Sequence, residues 1–367
     1  MIRMEAIYSD ILYEAEKIQC IPAPTFFEFN RAAYIKKRFL EIGLTNVEID
    51  SVGNVIGYAI GSKPEQKPII ISAHMDTVHA KDVNHQLIKQ GEKWIGAGIG
   101  DNTIALAVLI NLAKFFINNP TPRTIIFCAN ICEEGLGNLI GIKALVDKFK
   151  NSPLFYLVLE GMGLGVIFNR GLGVKRFEIT VKTNGGHSWG SFGEPSAIHE
   201  IAKFINNFSI DDLSKTVRST YNFGTINGGT TINSIAQEAT TELDIRSENQ
   251  MILNQIEKKL FNLKQKMETP KVRFYINRIG ERPYGALSNS HWLVKLAENA
   301  LRKLEIEPVF VIGSTDANYP LSLGYPAICV CLTKGGNVHT PEEFIFLDPI
   351  KKGFIQIIEI IQNAKET

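Results

Sequence analysis

The sequence predicts an α/β fold in which a mixed sheet is covered by helices and interrupted by a smaller inserted α+β domain. Buried apolar strands alternate with helices before residue 171 and again after residue 286. The region between them has half-exposed strands, which are typical of an antiparallel sheet. The length of 367 residues also suits two domains.

The outer domain comprises residues 1–170 and 287–367. Residues 1–20 mix apolar and charged side chains in the manner of an amphipathic helix. The later elements are short apolar runs separated by helical patterns, and they predict a sheet covered on both faces. We predict strands at Pro68–Ala73, Thr124–Asn130, Phe155–Leu159 and Pro326–Leu332, and helices at Thr103–Asn118, Asn138–Phe149 and Ser290–Leu304.

The inserted domain comprises residues 171–286. Its strands alternate apolar and polar residues, and its two helices are amphipathic. We predict strands at Gly171–Thr183, Thr220–Asn227, Ser234–Arg246 and Lys271–Asn277, and helices at Pro195–Phe208 and Asn249–Met267.

Composition excludes several classes of protein. The 39 basic and 38 acidic residues leave a net charge of +1, so no global field attracts nucleic acid or an anionic membrane. The longest uninterrupted apolar runs, Ile104–Ile110 and Pro326–Leu332, are far shorter than the ~20 residues of a membrane helix. Five cysteines are too few for a disulfide framework. We therefore expect reduced thiols, a cytoplasmic location, and neither nucleic acid nor membrane as a partner.

Histidines and acidic residues fall where the predicted strands end. His74 and Asp76 follow the first strand, the pair Glu133–Glu134 follows the second, and Glu160 ends the third. Because the carboxyl ends of strands in an open α/β sheet form the ligand crevice, these side chains are expected at one edge.

Two further residues join this set. His339 lies in the loop after the last strand, and Asp101 precedes the buried helix at Thr103–Asn118. Imidazole and carboxylate together are ligands of zinc or manganese. Two histidines and three carboxylates are too many for one tetrahedral ion and suit two ions that share a carboxylate. Two divalent ions would balance Asp101, Glu134, Glu160 and a bridging hydroxide.

Each residue alone also has a simpler interpretation. His74 could be a hydrogen-bonded structural histidine, Asp101 a helix cap, and Glu133–Glu134 a solvated pair. Their joint placement at strand ends favours the metal site.

The order of these motifs resembles the two-zinc metallopeptidase superfamily of aminoacylase, peptidase T, carboxypeptidase G and succinyl-diaminopimelate desuccinylase. The resemblance covers residues from about 70 to 345 and is specific for the superfamily, not for the substrate. It implies a zinc-exopeptidase-like sheet with a ferredoxin-like lid or dimerisation domain inserted. The motifs are His74-Met-Asp-Thr-Val78, Gly98-x-Gly-Asp-Asn102, Glu133-Glu-Gly135, Glu160, Gly185-Gly-His-Ser188 and His339-Thr-Pro-Glu-Glu343.

The resemblance also implies a division of labour among the metal-site residues. His74 and Glu160 would hold one ion, Glu134 and His339 the other, and Asp101 would bridge them. The ions would be Zn²⁺, with Mn²⁺ or Co²⁺ as alternatives.

Two further residues would serve the metal site without binding an ion. Asp76 would hydrogen-bond the far nitrogen of His74 and fix its tautomer. Glu133 would be the general base that takes a proton from a metal-bound water, which becomes the bridging hydroxide, and it would pass this proton to the leaving nitrogen.

Three residues of the inserted domain match substrate-contacting positions of the superfamily. His187 would stabilise the oxyanion, often from a second subunit, so a homodimer through this domain is expected. Asn233 and Arg246 would contact the substrate, and Arg246 would bind the carboxylate of the substrate. Ala236 stands where many members have proline, which weakens the match around Asn233. A surface turn and a solvated strand-end arginine are the simpler alternatives for His187 and Arg246.

The resemblance predicts a two-metal metallo-exopeptidase acting on small peptides, with an N-acyl amino acid deacylase as the alternative. Glu160 is typical of carboxypeptidases and deacylases, whereas His339 and the Asp316-Ala317-Asn318 segment resemble peptidase T. That segment could equally be a turn closed by an Asx hydrogen bond. An inactive metal-binding scaffold would lack a key residue, and all are present. A two-metal phosphoesterase would need basic phosphate contacts that the sequence does not place near the site.

Overall fold

The computed structural model describes residues 4–365 except 214 and 216. The chain divides into two compact units: unit 1 comprises Met1–Gly171 and Gly285–Thr367, and unit 2 comprises Leu172–Tyr284. The insertion predicted at 171–286 therefore overlaps unit 2 almost completely. Of the first predicted helix, residues 1–3 lie outside the described residues.

The helices and strands are listed here in chain order. The α-helices are α1 (Met4–Gln19), α2 (Phe29–Ile42), α3 (Ile104–Asn118), α4 (Ile140–Phe149), α5 (Ala197–Asn207), α6 (Gln250–Met267), α7 (Trp292–Lys303), α8 (Asn318–Ser322) and α9 (Pro349–Gln362). The strands are β1 (Thr45–Ile49), β2 (Val55–Ala59), β3 (Ile69–His74), β4 (Ile88–Gln90), β5 (Lys93–Ile95), β6 (Ile125–Asn130), β7 (Phe155–Met162), β8 (Val166–Gly171), β9 (Gly173–Thr183), β10 (Gly186–His187), β11 (Ser219–Gly228), β12 (Ser234–Ile235), β13 (Glu238–Ser247), β14 (Val272–Arg282), β15 (Gly285–Ala286), β16 (Val309–Gly313), β17 (Ala327–Thr333), β18 (Gly335–Gly336) and β19 (Phe344–Phe346).

A large mixed sheet forms the centre of unit 1, as predicted. Its strand order is β1-β2-β6-β3-β7-β17-β8-β15, and β16 pairs with β8. The strands β6, β3, β7 and β17 run parallel, whereas β2 and β8 pair antiparallel with their neighbours in that group. Every residue of β3, β6 and β17 is buried, which explains why these strands are continuous apolar runs.

The helix α3 packs inside unit 1. All its residues from Ile104 to Ala113 are buried, as its nearly uniform apolar composition predicts. With the turn before it, the segment Ile99–Asn118 is long and apolar enough to cross a membrane by length and composition. This segment is longer than the uninterrupted apolar run Ile104–Ile110. In its most apolar stretch of 18 residues, 89% is buried inside the protein, as in a core helix.

A small sheet of order β18-β19-β5-β4 also belongs to unit 1. The strand β5 leads into the segment that carries Asp101, and β18 and β19 flank the loop that carries His339. This sheet therefore holds two candidate metal-site loops side by side.

Unit 2 has an antiparallel sheet of order β11-β13-β9-β14, with the helices α5 and α6. Its core is a separate apolar cluster that includes Phe177, Phe204 and Phe274. The single strand predicted at Ser234–Arg246 is interrupted and forms β12 and β13 instead. The Ala236 carbonyl accepts hydrogen bonds from the Ala197 N–H at 2.9 Å and the Thr183 hydroxyl at 2.9 Å, which takes it out of the ladder.

The cysteines are free. Cys128, Cys132, Cys329 and Cys331 are buried, in agreement with the prediction of reduced structural thiols, and Cys20 is exposed.

Candidate metal centre

Neighbouring parallel strands bring the predicted metal-site residues to one edge of the large sheet. His74 is the last residue of β3, Glu160 lies near the end of β7, and Glu133 and Glu134 follow β6 by three and four residues. Since β6, β3 and β7 are adjacent and parallel, their carboxyl ends meet.

Asp101 lies between the two histidines. Its Oδ1 is 3.0 Å from His74 Nε2, and its Oδ2 is 3.1 Å from His339 Nε2. His74 Nε2 is also 3.7 Å from Glu160 Oε2, and His339 Nε2 is 3.2 Å from Glu134 Oε1. The structure thus forms two three-residue clusters that share Asp101, and the ligand atoms within each lie within 4.8 Å of one another.

Asn102, which sequence reasoning left without a role, ties the Asp101 segment to the strand that carries Glu160. Its side-chain amide donates to the Leu159 carbonyl at 2.9 Å, and its Oδ1 accepts from the Gly161 N–H at 2.9 Å. The two segments approach so closely that position 161 requires glycine, because a Cβ there would lie 2.0 Å from the Gly100 carbonyl oxygen.

Asp76 is fully buried and holds the Glu133–Glu134 main chain. Its carboxylate oxygens accept from the N–H groups of Glu133 and Glu134, each at 2.9 Å, and from the Thr25 hydroxyl at 2.9 Å. The predicted contact with His74 differs in detail. His74 Nδ1 lies 3.0 Å from the Asp76 main-chain carbonyl and 3.5 Å from its carboxylate. Either contact orients the ring with Nε2 toward Asp101.

Glu133 and Glu134 are both buried, and each offers an oxygen within 4.8 Å of a His74 ring nitrogen and of the other. Glu134 Oε1 has no hydrogen-bond partner among the described residues, although His339 Nε2 lies 3.2 Å away. A buried carboxylate oxygen without a donor is unfavourable, and a cation would satisfy it.

Electrostatics show that the cluster holds excess negative charge. Burial, reinforced by repulsion from Asp101 and Glu133, raises the pKa of Glu134 and of Glu160 to about 7. Contacts with Asp101 and Glu134 raise the pKa of His339 to about 10. A cation beside these buried carboxylates would offset their mutual repulsion, and imidazole nitrogen with carboxylate oxygen is a donor set that fits zinc or manganese.

Sequence reasoning also missed Glu343, whose buried carboxylate accepts the N–H groups of Gly100 and Asp101 at 2.7 and 2.8 Å. The only signal in the sequence was its place at the end of the His339 motif. Glu343 holds no position in the two clusters themselves.

The remaining predicted site residues lie in unit 2. His187, on β10, pairs with Ser234, and the Ser188 N–H donates to the Asn233 carbonyl at 3.0 Å, so the structure brings His187 and Asn233 together. His187 Nδ1 accepts from the main-chain N–H groups of Trp189 and Gly190 at 3.3 Å.

Arg246 lies near the end of β13, away in sequence from that loop. Its Nε is 2.7 Å from Asp244 Oδ1, and 43% of the side chain is exposed. Asp244 also pairs with Arg176 at 3.0 Å. The Arg246 guanidinium is therefore partly exposed and paired with Asp244.

The Asp316-Ala317-Asn318 segment forms a turn in unit 1. The Asn318 N–H donates to the Thr315 carbonyl at 3.0 Å and closes the turn, and the Asn318 side-chain oxygen accepts from the Thr315 N–H at 3.0 Å, which is not the Asx hydrogen bond that the sequence suggested. Asp316 is fully buried and accepts from the Asn130 amide at 2.7 Å. Asp316 thus packs beneath the end of β6.

Comparison with known proteins identifies the family of this chain. The family model described as peptidase family M20/M25/M40 matches residues 70–363. A probable succinyl-diaminopimelate desuccinylase of Staphylococcus aureus strain N315 is 24% identical over 343 residues, covering 81% of this chain and 82% of the relative.

Solved structures share the fold along almost the whole chain. A tripeptidase of Staphylococcus aureus Mu50 has a TM-score of 0.81 at 20% identity, covering 97% of this chain and 98% of its own. The aminopeptidase PepT of Bacillus cereus ATCC 10987 has a TM-score of 0.79 at 20% identity with the same coverage. A dinuclear metal-binding peptidase of Bacillus subtilis has a TM-score of 0.71 at 14% identity, covering 97% and 98%. At sequence identities of 14% to 20%, the structural similarity establishes the shared fold alone.

Proposed function

This chain belongs to peptidase family M20/M25/M40, and from that premise we propose that it is a two-metal-dependent exopeptidase that cleaves an amide bond of a small peptide. The observation that carries the proposal is the position of Asp101, with one carboxylate oxygen on His74 and the other on His339. A carboxylate in that position suits a bridge between two ions.

The donor set supports a division of the residues between two ions. His74 and Glu160 would hold one ion, Glu134 and His339 the second, and Asp101 both. Divalent ions held by these residues would supply Lewis acidity, which would polarise the scissile carbonyl and lower the pKa of a water molecule toward ~7. Zn²⁺ fits these donors, and Mn²⁺ or Co²⁺ could replace it.

Glu133 is proposed as the general base. Asp76 fixes the main chain at both Glu133 and Glu134, which supports two adjacent carboxylates with separate tasks. Glu134 contacts His339, which leaves Glu133 to take a proton from the attacking water and to donate it to the leaving nitrogen. Its burial excludes bulk water from this transfer.

His187 is proposed to stabilise the oxyanion. Two main-chain N–H groups hold its Nδ1, which leaves Nε2 as the donor for a substrate oxygen. We further propose that His187 acts across a homodimer formed through unit 2, where β11 and β14 are the edge strands of the sheet.

Dilution tests that arrangement. Specific activity is expected to fall as the dimer dissociates, because the monomer lacks the partner's histidine. The measurement is kcat over a concentration series whose oligomeric state is followed by analytical ultracentrifugation. A fully active monomer would remove the role across the dimer.

Arg246→Lys is expected to lower kcat/KM by ~10–100-fold, the typical effect of losing a charge-assisted hydrogen bond. Lysine cannot reproduce the planar fork that matches a substrate carboxylate. A carboxyl-amidated substrate should lose a similar factor with the wild type and little more with the variant, because both changes remove one contact.

The control for this experiment is Arg176→Lys, which alters the other arginine on Asp244 and should keep the wild-type kcat/KM. Independent, additive losses from Arg246→Lys and substrate amidation would show that the two groups do not meet.

A deacylase of N-acyl amino acids is the second candidate, favoured by the desuccinylase relative. A panel of di- and tripeptides, blocked at either end, beside N-acetyl and N-succinyl amino acids separates the two. The exopeptidase proposal expects hydrolysis of unblocked peptides and loss of activity when one terminus is blocked. Preference for N-acyl amino acids over all peptides would favour the deacylase.

A further inference from the structure

The Glu343 side chain lies where two candidate metal-site loops meet. One oxygen accepts the N–H groups of Gly100 and Asp101 at 2.7 and 2.8 Å, and the other accepts the N–H of His339 at 3.2 Å. Glu343 is fully buried. A single carboxylate thus joins a segment near residue 100 to a loop near residue 340.

The main chain of Glu343 is fixed by the small sheet of unit 1. Its carbonyl accepts from the Gly96 N–H at 2.8 Å, its N–H donates to the Thr340 carbonyl at 3.1 Å, and the next residue, Phe344, pairs with Ile95. The carboxylate is therefore held in place before any ligand binds.

Met162 packs the same two segments together at a second point. A Cβ on Gly100 would lie 2.5 Å from the Met162 sulfur, and a Cβ on Gly335 would lie 2.6 Å from it. Because neither glycine leaves room for a side chain, Met162 lies directly against both the Asp101 segment and the strand before the His339 loop in unit 1.

The His339 loop is the part of the metal centre that most needs such support. The His339 side chain is 52% exposed, and the residue has a φ of 65°, in the left-handed region that is unfavourable for residues other than glycine. His74, in contrast, ends a buried strand and is 1% exposed. A hydrogen bond to the His339 N–H holds the residue in this conformation.

We propose that Glu343 is a positioning residue that sets the affinity of the ion held by Asp101, Glu134 and His339, while the ion on the His74 side depends on it less. The inference rests on the two-metal function proposed above. Glu343 fixes the main chain of two ligands of that ion. Without this carboxylate, the loop would lose conformational entropy when the metal binds, and this cost would weaken metal binding.

Glu343→Gln tests the proposal with little change of shape. An amide keeps one oxygen for the Gly100 and Asp101 N–H groups but turns an NH₂ toward the His339 N–H, which has no acceptor there. Titration of the metal-free protein with Zn²⁺ against a competing chelator should give two dissociation constants. One is expected to rise by ~10–100-fold, the usual effect of removing such support, and the other to keep its wild-type value.

Two controls separate positioning from general stability. Glu342→Gln changes an exposed neighbouring carboxylate and should leave both dissociation constants unchanged. The double variant Glu343→Gln/His339→Ala should bind the weakened ion no worse than His339→Ala alone, because glutamine keeps the bonds to Gly100 and Asp101 and changes only the contact with His339. If Glu343→Gln does not fold, Glu343→Asp, which withdraws the carboxylate from all three N–H groups, should raise the dissociation constant of the ion on the His339 side more than that of the other ion.

Two unchanged dissociation constants would overturn the proposal. So would an equal rise in both that accompanies a lower melting temperature of the metal-free variant, since that result describes a structural residue. Wild-type protein that binds fewer than two ions would remove the two-metal function itself, and the role of Glu343 with it.

Discussion

Glu133→Gln is expected to lower kcat by ~10²–10⁴-fold or more while metal content stays at the wild-type value. An amide cannot accept the proton of the attacking water, but it preserves the shape of the side chain and the main-chain bond to Asp76. Steady-state kinetics on the best peptide from the panel, with metal analysis of the same sample, measures both quantities.

Glu134→Gln is the matched control because it makes the same chemical change one residue away. Glu134 faces His339 at 3.2 Å, so this variant is expected to lose metal as well as activity. If Glu133→Gln loses metal and Glu134→Gln keeps it, the two glutamates have exchanged roles.

Asp101→Asn is expected to have the broadest effect of any single substitution at the site. Asparagine retains one oxygen but presents an NH₂ in place of the other, so it cannot face both His74 and His339 as an acceptor. Bound metal should fall below two ions per chain, and activity by ~10²-fold or more, because several kcal/mol of Lewis-acid stabilisation is lost.

The control is Asp82→Asn, an exposed aspartate in the loop after β3, which should change neither quantity. Full activity of Asp101→Asn with two ions bound would contradict the bridging role.

The strands that position the site could be predicted from the sequence because they are buried on both faces. β3, β6 and β17 are continuous apolar runs, and each is followed by the polar residues that the sheet brings together. The local sequence is therefore sufficient to predict that His74, Glu133 and Glu134 are neighbours.

The supporting contacts could not be predicted in this way, since they join residues far apart in the chain. Glu343 bonds to Asp101 across 242 positions, and Asp76 bonds to Glu133 across 57. The short strands β5, β18 and β19, of two or three residues, carry no periodic pattern, so the small sheet that brings the two loops together was invisible in the sequence.

The interruption between β12 and β13 could not be predicted either, because it also depends on contacts outside the local sequence. Ala236 reads as part of one alternating strand, but its carbonyl bonds to the start of α5 and to Thr183, which local sequence does not encode. This break allows β12 to pair with β10 and so places Asn233 beside the loop of His187.

A crystal structure of the zinc-loaded protein, with anomalous scattering measured at the zinc edge, tests the central claim most directly. Two anomalous peaks are expected on either side of the Asp101 carboxylate, one against His74 and Glu160 and the other against Glu134 and His339. A single peak at full zinc saturation, or peaks that do not share Asp101, would contradict the two-metal centre.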